Sequence, residues 1–392
     1  MSGGRRTAHL HYTQLNKVKL IRGGSDYFKT LEGLITNARD SVYLQTYIFE
    51  EDKTGMFIAQ ALINAAHRGV KVFLLLDGYA SQNLSNDFVQ KIESSGIFFR
   101  WFEPMLRSNN FYFGRRLHHK AVVADGLYCL VGGINISDRY NDIDGHRAWL
   151  DWAIYAEGEV ALSVYRVCAR RALKPWAYSR ARDVLVPKKQ TNVKDKCEVK
   201  MIVNDWVRGK NEIYNSYQHV LRIAEKEMII VSSYFMPGWS FQNKMLQALK
   251  RGVKMKVVLT RESDVAFAKS AELYLYPWLL KNGVEVFEYT KTILHGKITV
   301  CDRKWVSAGS YNLNELSARA SVEMNLEVRD EKFGAEVHQS LSEIIANDCV
   351  KISLEDFKNH SEWWRVLWHR MAYNILQLIL FLFTFYFKRE RS

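Results

Sequence analysis

The sequence predicts an α/β fold: two pseudo-twofold-related domains, each a mixed, largely parallel sheet flanked by helices, followed by a C-terminal membrane-associated helix. Three observations predict it. The chain repeats a strand–helix–strand pattern, each copy is followed by a matching histidine–lysine string, and one apolar run near the end is framed by tryptophans and basic residues. A chain of 392 residues is long enough for two domains that each bury a core. With 48% hydrophobic and 25% charged residues its composition is globular, which excludes a disordered chain. The net charge of +13 calls for an anionic partner: nucleic acid, an acidic membrane or a phosphorylated substrate. Five widely spaced cysteines without a CxxC pair read as reduced thiols.

In the first half, Ser41-Val-Tyr-Leu-Gln-Thr-Tyr-Ile-Phe is a buried strand, residues 56–67 are helical, and Arg68-Gly-Val-Lys turns into a second apolar strand ending at Asp77. The second half restates this with a strand from Met228, a helix over 242–250, and Arg251-Gly-Val-Lys leading into a strand ending at Thr260. Strands alternating with helices argue for βαβ units, hence the largely parallel sheet. The divisions expected are a tail over 1–17, a first domain over 18–174, a basic, proline-containing linker over 175–196, a second domain over 197–360 and the C-terminal segment 361–392.

Chemistry concentrates in two strings, His118-His119-Lys120-Ala-Val-Val-Ala-Asp125 and His295-Gly-Lys297-Ile-Thr-Val-Cys-Asp302. Seven residues beyond each aspartate stands a glycine turn, Gly132-Gly133-Ile-Asn135 and Gly309-Ser310-Tyr-Asn312. On a strand, His118 and Lys120 share one face, as do His295 and Lys297, whereas His119 points away. Such a set grips a phosphodiester: lysines neutralise the non-bridging oxygens, Asn135, Asn312 and Ser310 offer donors, and two histidines divide nucleophilic attack from proton transfer. Each imidazole needs an orienting acceptor, for which Asp151 and Glu323 are candidates and Glu327 a rival. Asp125 and Asp302 stand an odd number of residues after the histidines, which favours a structural role over a catalytic one. No metal ligand cluster or cofactor motif is visible, so neither a metal nor a cofactor is expected.

The doubled HxKxxxxD with its Gly-x-Asn sequel resembles the phospholipase D superfamily, and within it the bacterial cardiolipin synthases of the type without N-terminal transmembrane helices. The likeness runs from about Val18 to about Trp364 and includes Leu76-Asp77-Gly-Tyr79, both Arg-Gly-Val-Lys turns and Phe235-Met-Pro-Gly. It implies a pseudo-twofold fold whose motifs meet in one metal-free site, with His118, Lys120, Asp125, His295, Lys297 and Asp302 as the motif residues. It further implies His118 as nucleophile, His295 as general acid and base, and transfer of a phosphatidyl group between two phosphatidylglycerols. Hydrolysis of a phospholipid, or of nucleic acid, uses the same chemistry and stays open as an alternative, nucleic acid being disfavoured by the C-terminal apolar run.

That run, residues 371–387, would make a helix of roughly 25 Å against a hydrocarbon core of about 30 Å. Trp363, Trp364, Trp368, Arg365 and Arg370 precede it, and Lys388, Arg389 and Arg391 follow, which is the framing of a bilayer interface. The expected partners are therefore phosphatidylglycerol and anionic membrane lipids, and the expected place is the cytoplasmic face of a bacterial inner membrane, with the segment as attachment. Residues 109–116, which interleave aromatics with cations, are a second candidate for touching lipid headgroups. Tyr47 and Tyr234 stand at similar places in the two repeats; lining the pocket is open to them, and packing in the core is the favoured reading.

Overall fold

The computed structural model describes residues 11–103, 115–173, 193, 195–314, 317, 321–359 and 363–389. Most of the expected linker, and the aromatic–basic stretch up to residue 114, lie outside the described residues. The first half runs β1 (Asn16–Arg22), α1 (Ser25–Asn37), β2 (Ser41–Thr46), α2 (Lys53–His67), β3 (Lys71–Asp77), α3 (Asn86–Ser94), β4 (Phe98–Phe102), β5 (Arg116–Leu117), β6 (Lys120–Ala124), β7 (Tyr128–Gly132), β8 (Trp152–Gly158) and α4 (Glu159–Ala172). The second runs β9 (Glu198–Asp205), β10 (Lys210–Asn211), α5 (Glu212–Ile223), β11 (Glu227–Ser232), α6 (Trp239–Lys250), β12 (Lys254–Thr260), α7 (Ala266–Leu273), α8 (Tyr276–Lys281), β13 (Glu285–Tyr289), β14 (Lys297–Cys301), β15 (Trp305–Gly309), β16 (Ser321–Arg329), α9 (Glu331–Asp348) and β17 (Cys349–Ile352). The helices α10 (Leu354–Asn359) and α11 (Trp363–Arg389) close the chain.

Two sheets result, ordered β1-β8-β7-β6-β2-β3-β4 and β10-β9-β16-β15-β14-β11-β12-β13-β17. Seven consecutive strands of the second match the first one for one. The fold is mixed α/β as expected, but its balance needs correcting. Only β2-β3-β4 and β11-β12-β13 run parallel within each repeated unit, and the pairs from β2 through β6, β7 and β8 to β1 are antiparallel. The cause is the short turns at Asp125 and Asp302: a few residues can join only antiparallel neighbours, whereas a parallel pair needs a crossover helix such as α2 or α6.

The repeated Arg-Gly-Val-Lys is a helix stop with a second task. Gly69 and Gly252 adopt φ of +88° and +93°, the left-handed region open to glycine. The arginine beside each reaches a neighbouring helix: Arg68 Nη2 donates to the carbonyls of Ile35 and Thr36 at 3.1 and 2.8 Å, Arg251 Nη2 to those of Leu221 and Ala224 at 2.7 and 3.2 Å. Both guanidiniums thus satisfy carbonyls left open at a helix C-terminus, at the end of α1 and of α5.

The halves share a core. Tyr43, Trp152 and Val160 of the first and Val231, Leu294 and Met324 of the second lie in one buried cluster. Strand β5 of the first half pairs with β16 of the second, which places the histidine string at the junction. At the C-terminus, α11 docks on α7: Ala372 is buried with Met236, Ala271 and Leu275, Tyr373 lies 4.9 Å from Tyr274, and Trp368 Nε1 donates to Ser270 Oγ at 3.3 Å. Trp364, Leu367, Met371, Ile375 and Leu378 of the same helix are exposed. No helix among the described residues is long and apolar enough to cross a membrane.

Candidate active site

Each histidine string enters its sheet through a hydrogen-bonded gate built by the other half. The backbone N–H groups of His118 and His119 both donate to the carbonyl of Val322 at 3.0 Å; those of His295 and Gly296 donate to Leu150 at 2.8 and 2.9 Å. The residue after each accepting carbonyl supplies a carboxylate. His118 Nδ1 lies 2.9 Å from Glu323 Oε2, and His295 Nδ1 lies 2.7 Å from Asp151 Oδ2. The orienting carboxylates are therefore crossed between the halves, and the rival Glu327 is elsewhere, accepting from Tyr12 and Ser216.

The lysines follow the predicted face. Lys120 Nζ donates to the His118 carbonyl at 2.6 Å, and Lys297 Nζ donates to the carbonyl of His295. Tyr47 leaves its expected place in the core to line this site, its ring 4.8 Å from His118 and 5.2 Å from Lys120 Nζ. It is not the counterpart of Tyr234, whose hydroxyl donates to Asp264. Tyr140 packs edge-on to His295 at 5.2 Å, with Trp149 behind at 6.2 Å. His119 faces away, hydrogen-bonded to Gln45 Oε1 at 2.7 Å, which leaves His118 as the histidine of the first string that faces the site.

The second residue of each glycine turn is matched to the length of its carboxylate. A Cβ on Gly133 would stand 2.5 Å from both Asp151 oxygens. The longer Glu323 leaves room at the equivalent place, and Ser310 fills it, donating to Glu323 Oε2 at 2.5 Å. The two turn asparagines are tied back into the scaffold. Asn135 accepts from the Ile48 N–H and donates to the Tyr140 hydroxyl, while Asn312 Oδ1 accepts from Ser233. Asn135 thus holds the ring that packs on His295, and its amide is committed there.

The motif groups Asp125 and Asp302 with the catalytic histidines and lysines, and that grouping needs correcting: they stand apart from the site, on the structural side that their odd spacing favours. Both sit in left-handed turns, with φ of +54° and +51°. The Asp125 carboxylate accepts from the N–H groups of Arg39, Asp40 and Ser41, and Asp302 from those of Glu225, Lys226 and Glu227. They hold the entry to β2 and β11, at the end of β6 and β14 remote from the histidines. Asp77, by contrast, has a positioning role that its place after three leucines did not reveal. Fully buried, it accepts from Leu117 N at 2.8 Å, one residue before His118, and from Tyr79 and Ala80.

Burial sets the electrostatics. It holds both His118 and His295 below the ordinary imidazole value, His295 further because Lys297 and Lys120 add to it. The ammonium groups are pushed down too, Lys120 to about 7 and Lys297 to about 8, by burial and, for Lys120, the charge of Lys297. The carboxylates diverge. Burial raises Asp151 to about 7, whereas for Glu323 burial is outweighed by His118, Lys120 and the Ser310 hydroxyl, leaving it below the ordinary value. Cations buried side by side in this way shed charge, and a neighbouring anion favours their charged form. No group of three or more His, Cys, Asp or Glu side chains among the described residues is arranged to hold a metal ion.

The model of the family described as "Cardiolipin synthase, PLD-like domain" matches residues 31–148 and 217–345, the stretches that carry both strings. Cardiolipin synthase B of Shigella flexneri is 31% identical over 92% of this chain and 88% of its own length, and that of Salmonella typhi 32% over the same shares. Cardiolipin synthase of Halalkalibacterium halodurans is 28% identical over 89% of this chain and 70% of its own. Among solved structures, the phosphatidylserine synthase of Haemophilus influenzae superposes with a TM-score of 0.73 at 15% identity, covering 94% of this chain and 95% of that one. The polyphosphate kinase of Porphyromonas gingivalis reaches 0.58 at 14% identity, over 93% of this chain and 53% of its own. These two likenesses are of fold. With both motifs inside the matched regions and relatives above 30% identity along nearly the whole chain, the protein belongs to the cardiolipin synthase family of PLD-like domains.

Proposed function

We infer that the protein is a phosphatidyltransferase that joins two phosphatidylglycerols into cardiolipin and releases glycerol, through a phosphatidyl group held on His118. The observation that carries the division of labour is the difference between the crossed pairs: Glu323, which serves His118, also accepts from the Ser310 hydroxyl, whereas Asp151, which serves His295, faces Gly133, which offers none. Ionised Glu323 accepts from Nδ1–H of His118 and leaves Nε2 with its lone pair for phosphorus. Burial lifts Asp151 to about 7, which brings its protonated form into reach near neutrality; that form donates to His295 Nδ1 and puts the imidazole proton on Nε2, where a leaving alkoxide can take it.

In the first step His118 Nε2 bonds to phosphorus as the glycerol oxygen leaves with the Nε2 proton of His295, and the Asp151 proton passes to His295 Nδ1 so that the ring stays neutral. In the second, a hydroxyl of another phosphatidylglycerol gives its proton to His295, attacks phosphorus and breaks the bond to His118. Lys120 and Lys297 carry charge to the phosphoryl oxygens, so we expect turnover to survive a chelator such as EDTA; loss restored by a divalent ion would refute that. The enzyme works at the cytoplasmic face of a bacterial inner membrane, held there by α11, whose outward tryptophan and aliphatic side chains suit a bilayer interface.

The test is incubation of detergent-purified protein with phosphatidylglycerol, with lipid products resolved. Cardiolipin plus glycerol is expected; phosphatidic acid as the main product would make it a hydrolase. His118→Ala should abolish both turnover and adduct, whereas His295→Ala should still be labelled by a substrate with a good leaving group and fail to turn over. An adduct mapped to His295 by mass spectrometry would reverse the roles.

A further inference from the structure

The pseudo-twofold makes the halves of the site near copies, so places where they differ are where two like substrates can be told apart. One such place is the rim beside His295. In the first half Glu50 follows β2, its N–H donating to the Ile136 carbonyl; the matching residue of the second half is Met236, whose N–H donates to Leu313 and whose side chain is buried under α11. An apolar position on one side is thus a carboxylate on the other. Glu50 accepts from Ser137 Oγ at 2.6 Å and from Arg139 Nη2 at 2.5 Å, and Arg139 Nε points at Ser137 Oγ at 3.4 Å. The guanidinium lies on the Trp149 ring at 5.3 Å, and that ring is 6.2 Å from the His295 imidazole. Arg139 is therefore a cation fixed on three sides, 43% exposed, one indole beyond the general base.

An ion pair at a surface contributes little to stability, so the fold does not demand this arrangement. The substrate gives it a use. When His295 deprotonates the acceptor, the acceptor is itself a phosphodiester, with phosphorus five bonds of about 1.5 Å from the reacting oxygen. That second phosphate does not react, and the motif lysines are engaged with the one that does. A guanidinium offers five donors in a planar fork, of which Glu50 and Ser137 occupy only part.

We propose that Arg139, held by Glu50 and Ser137 against Trp149, binds the non-reacting phosphodiester of the acceptor lipid and thereby selects a phosphorylated alcohol over water and free glycerol. This rests on the transferase reading and on His295 serving the acceptor. The subsite takes the glycerophosphate part of a lipid headgroup.

The experiment compares two reactions of the full-length protein on phosphatidylglycerol vesicles. Cardiolipin formation needs a phosphorylated acceptor, whereas incorporation of labelled glycerol into phosphatidylglycerol runs only the donor half-reaction and its reversal. Arg139→Gln should raise the KM for the acceptor about tenfold and divert product from cardiolipin to phosphatidic acid, with a much smaller loss in glycerol incorporation. Arg139→Lys should recover part of the cardiolipin yield. Equal losses in both reactions, or a fall in kcat with the acceptor KM unchanged, would make Arg139 structural and overturn the subsite. If the unmodified protein catalyses neither reaction, the transferase reading itself fails, and the subsite with it.

Discussion

At the scale of single residues, the site is tuned by the fit between Gly133 and Asp151. Since a Cβ on Gly133 would stand 2.5 Å from both carboxylate oxygens, Gly133→Ser must displace Asp151 and with it the acceptor of His295. A displaced catalytic group commonly costs about a hundredfold in rate, so kcat should fall by that order while the protein stays folded; a kcat near normal would show that Asp151 does not hold His295. The buried lysines give a pH dependence. Lys120 at about 7 and Lys297 at about 8 lie below 10.5, so each is charged only below its lowered value and the empty site loses positive charge as pH rises through 7 to 8. An anionic lipid binds the charged form, so its KM should rise across that window, with kcat less affected because the bound phosphate restores the ammonium. A KM flat from pH 6 to 9 would contradict this. The motif aspartates carry a different expectation. Asp125→Ala removes an acceptor of three backbone N–H groups and should cost about 1–3 kcal/mol of stability, with kcat of the folded fraction preserved. Of these residues the histidines and lysines stand out in the sequence by repetition and spacing, whereas Asp151 and Glu323 stand there only as candidates beside the rival Glu327. The pairing of carboxylate with histidine is not legible there, because Glu323 and Asp151 reach their partners across the halves, and a one-dimensional pattern carries no information about which half answers which.

At the scale of elements, repetition exposed β2, α2 and β3 and their copies, and the Arg-Gly-Val-Lys string marked where helix gives way to strand. It did not reveal why arginine stands there, since the carbonyls it satisfies belong to α1 and α5, more than thirty residues upstream in the first half. Strand direction escapes the sequence pattern for a related reason. Alternating strands and helices describe β2 to β4, but β6, β7 and β8 are joined through turns and loops whose antiparallel return is invisible in an apolar run. The element with the clearest consequence is α11. It is anchored by Ala372, Tyr373 and Trp368 to α7, and turns Leu367, Met371, Ile375 and Leu378 outward. Deleting the chain from Arg370 onward should leave a folded enzyme that acts on detergent-dispersed phosphatidylglycerol and loses most activity on liposomes. Acidic lipid should restore part of it, since each well-placed Lys or Arg contributes roughly 1 kcal/mol near such a surface. Aggregation of the truncated protein, or inactivity on dispersed substrate, would instead make the cover of α11 over Met236 and Leu275 essential to the fold.

At the scale of the whole molecule, the doubling seen in the sequence makes two domains whose motifs are expected to share one site, and the structure gives them a shared core as well. The site needs both: the backbone of His118 is gated by Val322 and that of His295 by Leu150, and one apolar cluster runs through both sheets. Trp152 is the clearest link. It belongs to β8 of the first sheet, is 2% exposed, and packs so closely on Gly296 that a Cβ there would stand 2.4 Å from its ring. The first string can hold His119 at the matching place because that ring is taken up by Gln45, whereas the second must hold glycine. A core so shared predicts that the halves unfold as one unit. Heating should give a single transition, with calorimetric and van't Hoff enthalpies equal and loss of activity coincident with loss of secondary structure. Trp152→Ala should move that transition down as a whole, by about 3–5 kcal/mol for an aromatic side chain removed from a packed core, and should lower turnover although Trp152 touches neither imidazole through a hydrogen bond. Two resolved transitions, with only the first shifted by the substitution, would mean that each half keeps its own core and that the crossed contacts close around an interface of no structural weight.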